Sequence, residues 1–307
     1  MSAKPQILIV GSAGQVGLEL QRSFRDSGEI TAVDRAEIDL AAADETRSLV
    51  RQVKPDLILN AAAYTAVDRA ESEPAIAMAI NAQTPRILAE EALRFGALLV
   101  HYSTDYVFDG EKQGAWTEED APNPRNSYGV SKLAGEEAIK QVGGKYLIFR
   151  TSWVYGPHGA NFLLTMLRLA RQRDHLSIVD DQYGAPTTSV ELADATYYTV
   201  MNIMAGKAGP ADDWAGLYHT TCSGSTTWCG FAKAIFARAG KLLDGKLPVV
   251  DPIRSVDYPT PAKRPRNSVL SNAKFNERFG VRLAPWETAL DTVIAQLVKA
   301  GQSRSES

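Results

Sequence analysis

The stretch Gln6-Ile-Leu-Ile-Val-Gly11-Ser-Ala-Gly14-Gln-Val-Gly17 decides how this chain folds. Gln6 to Val10 is a short apolar run, the pattern of a strand buried on both faces of a parallel sheet. Glycines follow at 11, 14 and 17, and an amphipathic stretch runs from Val16 to Phe24. Strand, glycine turn and helix in direct succession form the context that a dinucleotide fingerprint requires, here spaced Gly-x-x-Gly-x-x-Gly. Gly11 allows the tight turn, Gly14 lets the backbone approach a pyrophosphate, and Gly17 lets the helix pack on the strand. The helix N-terminus offers open N–H groups and a positive dipole end to the phosphates. A glycine turn that serves packing alone is the competing reading.

The chain continues in the same idiom. Ile30 to Val33 reads as a second strand, closing on Asp34-Arg35. An acid there accepts from the ribose hydroxyls and favours NAD, whereas Arg35 suits a 2′-phosphate and favours NADP, so the preference stays open. Asp39-Leu40 can sit against the adenine, although Asp39 is equally suited to a turn or cap ahead of a helix near Asp44. Pro55 to Asn60 reads as a third strand that enters Ala61-Ala-Ala63-Tyr64-Thr65. Small residues at a strand's carboxyl end let a cofactor lie close, and that edge is where ligands bind in an open α/β sheet. Pro74 to Phe95 reads as helix with a kink at Pro85, carrying Asn81 on an otherwise apolar face, where it makes a structural polar contact or holds the next strand's backbone near the site.

Ala97 to Ser103 is a fourth apolar strand, and it delivers Ser103-Thr104-Asp105 to the same edge. Tyr128 and Lys132 follow, four apart in a helical pattern, so both side chains lie on one face. A free tyrosine titrates near roughly 10. A neighbouring ammonium favours the phenolate and moves the phenol toward use as a proton relay. Thr104 and Tyr128 can both reach one carbonyl oxygen, one donor for orientation and one for the proton. Tyr-x-x-x-Lys alone is as readily an exposed helical pair; the upstream fingerprint gives it chemical meaning. Lys145 to Arg150 is a fifth strand ending in Thr151-Ser-Trp153, where Trp153 packs against a sugar ring or serves as a core aromatic.

The totals set the frame. A chain of 307 residues, 45% hydrophobic and 22% charged, has material for a full core. A net charge of −3 with interspersed signs implies no basic surface for nucleic acid. The first residues lack a signal pattern, and no apolar run reaches membrane-spanning length, so a cytoplasmic location with no membrane partner is the default. Cys222 and Cys229 make neither a disulfide scaffold nor a metal cage and read as buried small side chains. The four histidines lack metal-ligand spacing. Beyond Trp153, helical patterns lie near residues 161–171, 190–201, 226–238 and 286–298. Gly206 to Gly216 reads as a surface loop. Arg264 and Arg266, in a proline-rich loop, suit the oxygens of a diphosphate. Residues 1–155 with parts of 180–220 are expected to form a dinucleotide-binding domain, 156–300 mainly a second region, and 301–307 a polar, disordered tail.

The glycine fingerprint, Asn60-Ala-Ala-Ala63, Ser103-Thr-Asp105 and Tyr128-x-x-x-Lys132, in this order, resemble the extended short-chain dehydrogenase/reductase superfamily. Within it, Asn60 to Glu73, His101 to Phe108, Phe149 to Tyr155, Asp181 to Thr187 and Pro261 to Ser268 resemble the dTDP-4-dehydrorhamnose reductase family. The likeness runs from Ile7 to about Trp286. It implies an α/β fold, a Rossmann-type doubly wound parallel sheet with a smaller C-terminal α/β region for a sugar nucleotide. It implies reduction of the 4-keto group of dTDP-4-dehydro-L-rhamnose by NADPH or NADH. Tyr128 would protonate the forming alkoxide, Lys132 would tune Tyr128 and hold the nicotinamide ribose, and Thr104 would bind the carbonyl region. Thr104, Asp105, Tyr128 and Trp153 match substrate positions. Gly14, Gln15, Val16, Asp34, Asp39, Leu40, Ala63, Tyr64, Thr65 and Tyr102 match cofactor positions. Glu19 and Glu191 match places where some relatives hold Mg²⁺ between subunits, which would make a metal-bridged homodimer; a pair of helix-surface acids is the alternative. Two other readings compete. One is an epimerase or dehydratase, although Asp105-Tyr106 lacks the second carboxylate of the dehydratases. The other is a non-catalytic regulatory subunit, which would have no need of Thr104, Tyr128 and Lys132 together.

Overall fold

A parallel sheet grows outward from the run that opens the chain. The computed structural model describes residues 4–305. In chain order the elements that matter here are β1 (Gln6–Val10), α1 (Gln15–Phe24), β2 (Glu29–Val33), α2 (Ala43–Val53), β3 (Leu57–Asn60) and α3 (Thr84–Phe95). There follow β4 (Leu98–Thr104), α4 (Ser127–Val142), β5 (Tyr146–Thr151), α5 (Phe162–Ala170) and α6 (Ser189–Met204). The chain closes with β6 (Gly216–His219), α7 (Trp228–Arg238), α8 (Ala273–Phe279) and α9 (Trp286–Ser305). The six strands pair in parallel in the order β6-β5-β4-β3-β1-β2.

The register explains where a site can form. Val10 sits opposite both Val33 and Asn60, and Asn60 sits opposite His101. Thr104 sits opposite Thr151. The residues that leave the strands next, including Gly11, Asp34, Ala61 and Asp105, therefore emerge along one edge. The strand order reverses between β1 and β3, and such switch points are where open α/β sheets bind ligands.

Side-chain alternation fills both faces. Ile7, Ile9, Leu59, Val100, Tyr102 and Phe149 pack with Leu20 and Phe24 of α1, Leu192 of α6 and Phe275 of α8. Leu8, Val10, Ile58, Leu99 and Ile148 pack with Val50 of α2, Leu88 and Ala92 of α3, and Ile139 of α4. A further core joins Tyr155, Leu163, Phe231 and Leu290 beneath α5, α7 and α9. Cys222 and Cys229 are buried and unpaired, as small apolar fillers should be.

Three local expectations need correction. The break at Pro85 is taken up one turn earlier, where Ala79–Gln83 widens into a π-helix between the helix Pro74–Met78 and α3. Proline has no N–H to offer the carbonyl at 81, and the wider turn absorbs that loss. Gly206 to Gly216 is not simply a loop: Ala211–Trp214 forms a helical turn, and Trp214 is buried with Nε1 donating to the Gly209 carbonyl at 3.2 Å. The polar tail is helical as far as Ser305, and its last residues, 306 and 307, lie outside the described residues. Among the described residues no helix is long and apolar enough to cross a membrane.

Candidate active site

The glycine turn is built for close approach. Gly11 has φ 85°, and a Cβ there would stand 2.6 Å from the Ala62 nitrogen. A Cβ at Gly17 would stand 2.1 Å from the Gly11 carbonyl oxygen. No larger residue fits either place, so backbone rather than side chain lines the cradle. Gly14 is the N-cap of α1, and no side chain caps it. The open first turn of α1 thus suits a pyrophosphate. Gln15 and Val16 turn their side chains into the protein: Gln15 Oε1 accepts from Asn161 Nδ2 at 2.9 Å, and Val16 packs on the core.

Along the rest of the edge the expected cofactor residues are ordered by their own backbone. Asp34 Oδ1 accepts from the Ala36 N–H at 2.7 Å, and Asp39 Oδ1 from the Ala41 N–H at 2.9 Å. These are Asx turns, the outcome that competed with adenine contact for Asp39. Arg35 is exposed beside them, and the Leu40 carbonyl accepts from the Thr84 hydroxyl at 2.6 Å. Ala63, Tyr64 and Thr65 follow β3 directly. Asn81 clamps them: its Oδ1 accepts from the Tyr64 N–H at 2.8 Å, while its Nδ2 donates to the Tyr64 carbonyl at 3.1 Å and to Ser131 Oγ of α4 at 2.9 Å. Asn81 therefore straps the segment that follows β3 to α4. The Tyr64 hydroxyl bonds Glu73. Tyr102 offers only its backbone toward α4. Its phenol is buried in the core against α6, bonded to Thr196 Oγ1 at 2.8 Å, and only its carbonyl faces α4. Strand alternation is the cause: His101 and Ser103 take the α4 face, and Tyr102 takes the other.

α4 begins where Asn126 caps it, Oδ1 accepting from the Gly129 N–H at 2.8 Å. Tyr128, Lys132 and Glu136 then form one stripe at four-residue spacing. Tyr128 is partly buried, its ring edge-on to Tyr106 at 5.6 Å. Burial raises its pKa above the ordinary tyrosine value; a hydrogen bond with the Thr104 hydroxyl opposes this and the Asp105 carboxylate adds to it. The phenol thus stays protonated at neutral pH. Lys132 does not reverse this, because its ammonium is turned to β4, donating to the Tyr102 carbonyl at 2.6 Å beside His101 Nε2 at 3.2 Å. Thr104 Oγ1 donates to Asp105 Oδ1 at 3.0 Å. Burial lifts the Asp105 carboxyl to about 6, and its Oδ2 has no partner.

Glu136 and Arg150 escaped the sequence reading. Arg150 of β5 donates from Nε and Nη2 to the two carboxylate oxygens of Glu136 at 2.8 and 2.6 Å, and Ser103 Oγ donates to Oε1 at 2.5 Å. Both charged side chains are at most 2% exposed. This pair rivets α4 to β4 and β5. The available signal was the helical spacing from Lys132 to Glu136, together with an arginine inside an apolar strand.

The remaining expected residues are scattered over the surroundings. Trp153, at φ 48°, stacks on Trp228 with ring centroids 3.6 Å apart. That face is therefore closed to a sugar. Arg264 is bound to Asp68 at 2.7 Å and to the Tyr106 hydroxyl at 3.0 Å. Arg266 instead lines a cleft of 720 Å³ with Lys112, Tyr183 and Asn267. Glu19 is held by Arg22 at 2.6 Å, and Glu191 Oε2 accepts from the Ala284 N–H at 2.9 Å. Among the described residues no group of three or more histidine, cysteine, aspartate or glutamate side chains can hold a metal. Within one chain Glu19 and Glu191 are each engaged by protein partners, and no chemistry is assigned to a metal.

Comparison with known proteins shows which family the chain resembles over nearly its whole length. The family described as RmlD substrate binding domain matches residues 5–299. A dTDP-4-dehydrorhamnose reductase of Burkholderia thailandensis is 45% identical over 297 residues, covering 95% of this chain and 99% of that protein. One from Escherichia coli K12 is 43% identical over 296 residues, covering 95% and 97%. The solved structure of the Bacillus anthracis dTDP-4-dehydrorhamnose reductase in complex with NADP superposes with a TM-score of 0.86 at 34% identity, covering 95% of this chain and 99% of that one.

Proposed function

The chain belongs to the dTDP-4-dehydrorhamnose reductase family, and on that premise we propose how its own residues reduce a ketone. It reduces dTDP-4-dehydrorhamnose to dTDP-rhamnose with NADPH or NADH. The uncapped first turn of α1 at Gly14 fits the dinucleotide's pyrophosphate, and Gly11 and Gly17 let the turn pack closely against the chain's own backbone to present it. Asp34 and Arg35 stand at the end of β2 for the adenosine ribose, with Asp39, Leu40 and Ala63 to Thr65 alongside. When bound, the nicotinamide supplies the hydride.

The protein supplies position and the proton. The Thr104 hydroxyl at the carboxyl end of β4 lies near enough to the Tyr128 phenol to oppose the shift that burial imposes on it, and this juxtaposition carries the mechanism. Two hydroxyls so placed can both donate to a single carbonyl oxygen between them. Negative charge develops on that oxygen as the hydride arrives, so both bonds strengthen toward the transition state. Tyr128 then passes its proton to the alkoxide, and burial favours this because the phenol holds its proton until a stronger base appears. Lys132, held on the Tyr102 carbonyl, would have to swing its ammonium toward Tyr128 to stabilise the phenolate left behind. Asp105, with its unpartnered Oδ2, is placed to accept a sugar hydroxyl. Trp153 and Trp228 make an aromatic wall, and Arg266 brings a guanidinium to the cleft where the diphosphate would lie.

A steady-state assay tests the assignment. The purified chain should oxidise NADPH only when a dTDP-4-keto-6-deoxyhexose is added, with one reduced sugar formed for each NADPH consumed. Running the same assay with NADH ranks Asp34 against Arg35 as the deciding group. Tightly held NAD⁺ and interconversion of sugars without net oxidation would instead identify an epimerase.

A further inference from the structure

His101 is fully buried on the β4 face that meets α4, between Asn60 of β3 and Lys132. Asn60 Nδ2 lies 2.9 Å from His101 Nδ1, and Asn60 Oδ1 accepts the Ala62 N–H at 3.2 Å. The second bond orients the amide, so its NH₂ is the end that faces the ring. Nδ1 must then accept, and a neutral imidazole with Nδ1 accepting carries its single proton on Nε2. That N–H points at Lys132 Nζ, 3.2 Å away. An ammonium has three donors and no acceptor, so it has nothing to offer another donor. An uncharged amine has a lone pair for the His101 N–H and still has an N–H for the Tyr102 carbonyl at 2.6 Å.

We propose that His101 is a positioning residue: fixed as the Nε2–H tautomer by Asn60, it turns a donor toward Lys132 and favours the amine over the ammonium. The inference rests on the reading of Lys132 as the cationic partner of Tyr128. The surroundings agree. Burial holds His101 well below the ordinary histidine range, so a charged ring does not intervene. Burial brings Lys132 down to about 8, against the pull of Glu136. The groups that act on Lys132 are Glu136 on its own helix, whose charge is shared with Arg150 of β5, and His101 and the Tyr102 carbonyl on β4. The ammonium that stabilises the phenolate is therefore lost as pH rises through the value of Lys132, and His101 sets where that loss begins.

Two measurements on the full chain decide this. In nitrogen-15 NMR of histidine-labelled protein, His101 should show the Nε2–H tautomer and no titration from about pH 5 to about pH 9. In the pH profile of kcat/KM, His101→Phe should move the basic limb upward by about half a pH unit or more. His101→Gln, whose amide N–H can occupy the place of Nε2–H, should return the limb toward wild type. An Nδ1–H tautomer, a titrating ring, or an unmoved limb in folded His101→Phe would overturn the proposal. The ring spectrum stands independently of catalysis; absence of any basic limb in all three proteins would count against the Tyr128–Lys132 reading instead.

Discussion

Tyr128→Phe should lower kcat by about 10²- to 10⁴-fold, the span that a positioned proton donor contributes. The substitution is conservative in every other respect. Phenylalanine keeps the ring that meets Tyr106 edge-on at 5.6 Å, and the helix cap at Asn126 is untouched. What disappears is the hydroxyl beside Thr104. Thr104 remains to orient the carbonyl, but its own proton is far less available than that of a phenol. NADPH binding, read by fluorescence titration, should match wild type, because the pyrophosphate cradle at Gly11 to Gly17 lies at β1 and not on α4. Stopped-flow absorbance with a dTDP-4-keto-6-deoxyhexose separates the two quantities. Turnover within about twofold of wild type would remove Tyr128 from the mechanism.

Glu136→Ala should destabilise the protein by about 3–5 kcal/mol, the usual consequence of breaking a buried ion pair from one side. Arg150 is 1% exposed, its Nη1 already has no partner, and its guanidinium packs over Phe108 at 4.9 Å. Without Glu136 the whole cation is stranded in the core. Differential scanning calorimetry should show a fall in Tm on the order of 10 °C. The paired substitution Glu136→Leu with Arg150→Met removes both charges and should recover most of the loss, since an apolar pair of similar volume does not strand a charge. If the single change left Tm where it was, the rivet between α4 and the sheet would not exist. If the double variant were as unstable as the single one, packing rather than stranded charge would be the cause.

The sheet was legible because strands buried on both faces read as unbroken apolar runs, and β1, β3, β4 and β5 are such runs. β6 was not, because Gly216-Leu-Tyr-His219 is short and becomes a strand only by pairing with Leu147 to Arg150. Spacing gave Tyr128 and Lys132 one helical face, but it carried nothing about the partner that would bend Lys132 toward His101 and Tyr102. Glu136 was hidden for the same reason: its meaning depends on Arg150 and Ser103, which arrive from two other strands. Tyr102 was assigned by family likeness, whereas alternation along β4 from His101 and Ser103 would have sent its side chain to the opposite face. Pro85 signalled a break in the helix, yet the response, a widened turn placing Asn81 against Tyr64, depends on what α4 and the loop after β3 present to it.

The account stands or falls on a hydride and a proton meeting at one ketone. NADPH carrying deuterium at both positions of nicotinamide C4, turned over with dTDP-4-keto-6-deoxyhexose and followed by proton NMR of the sugar, tests this directly. The product should carry a single deuterium at C4 of the hexose, with its oxygen now a hydroxyl. A reduced sugar with hydrogen at C4, or deuterium at any other carbon, would contradict it.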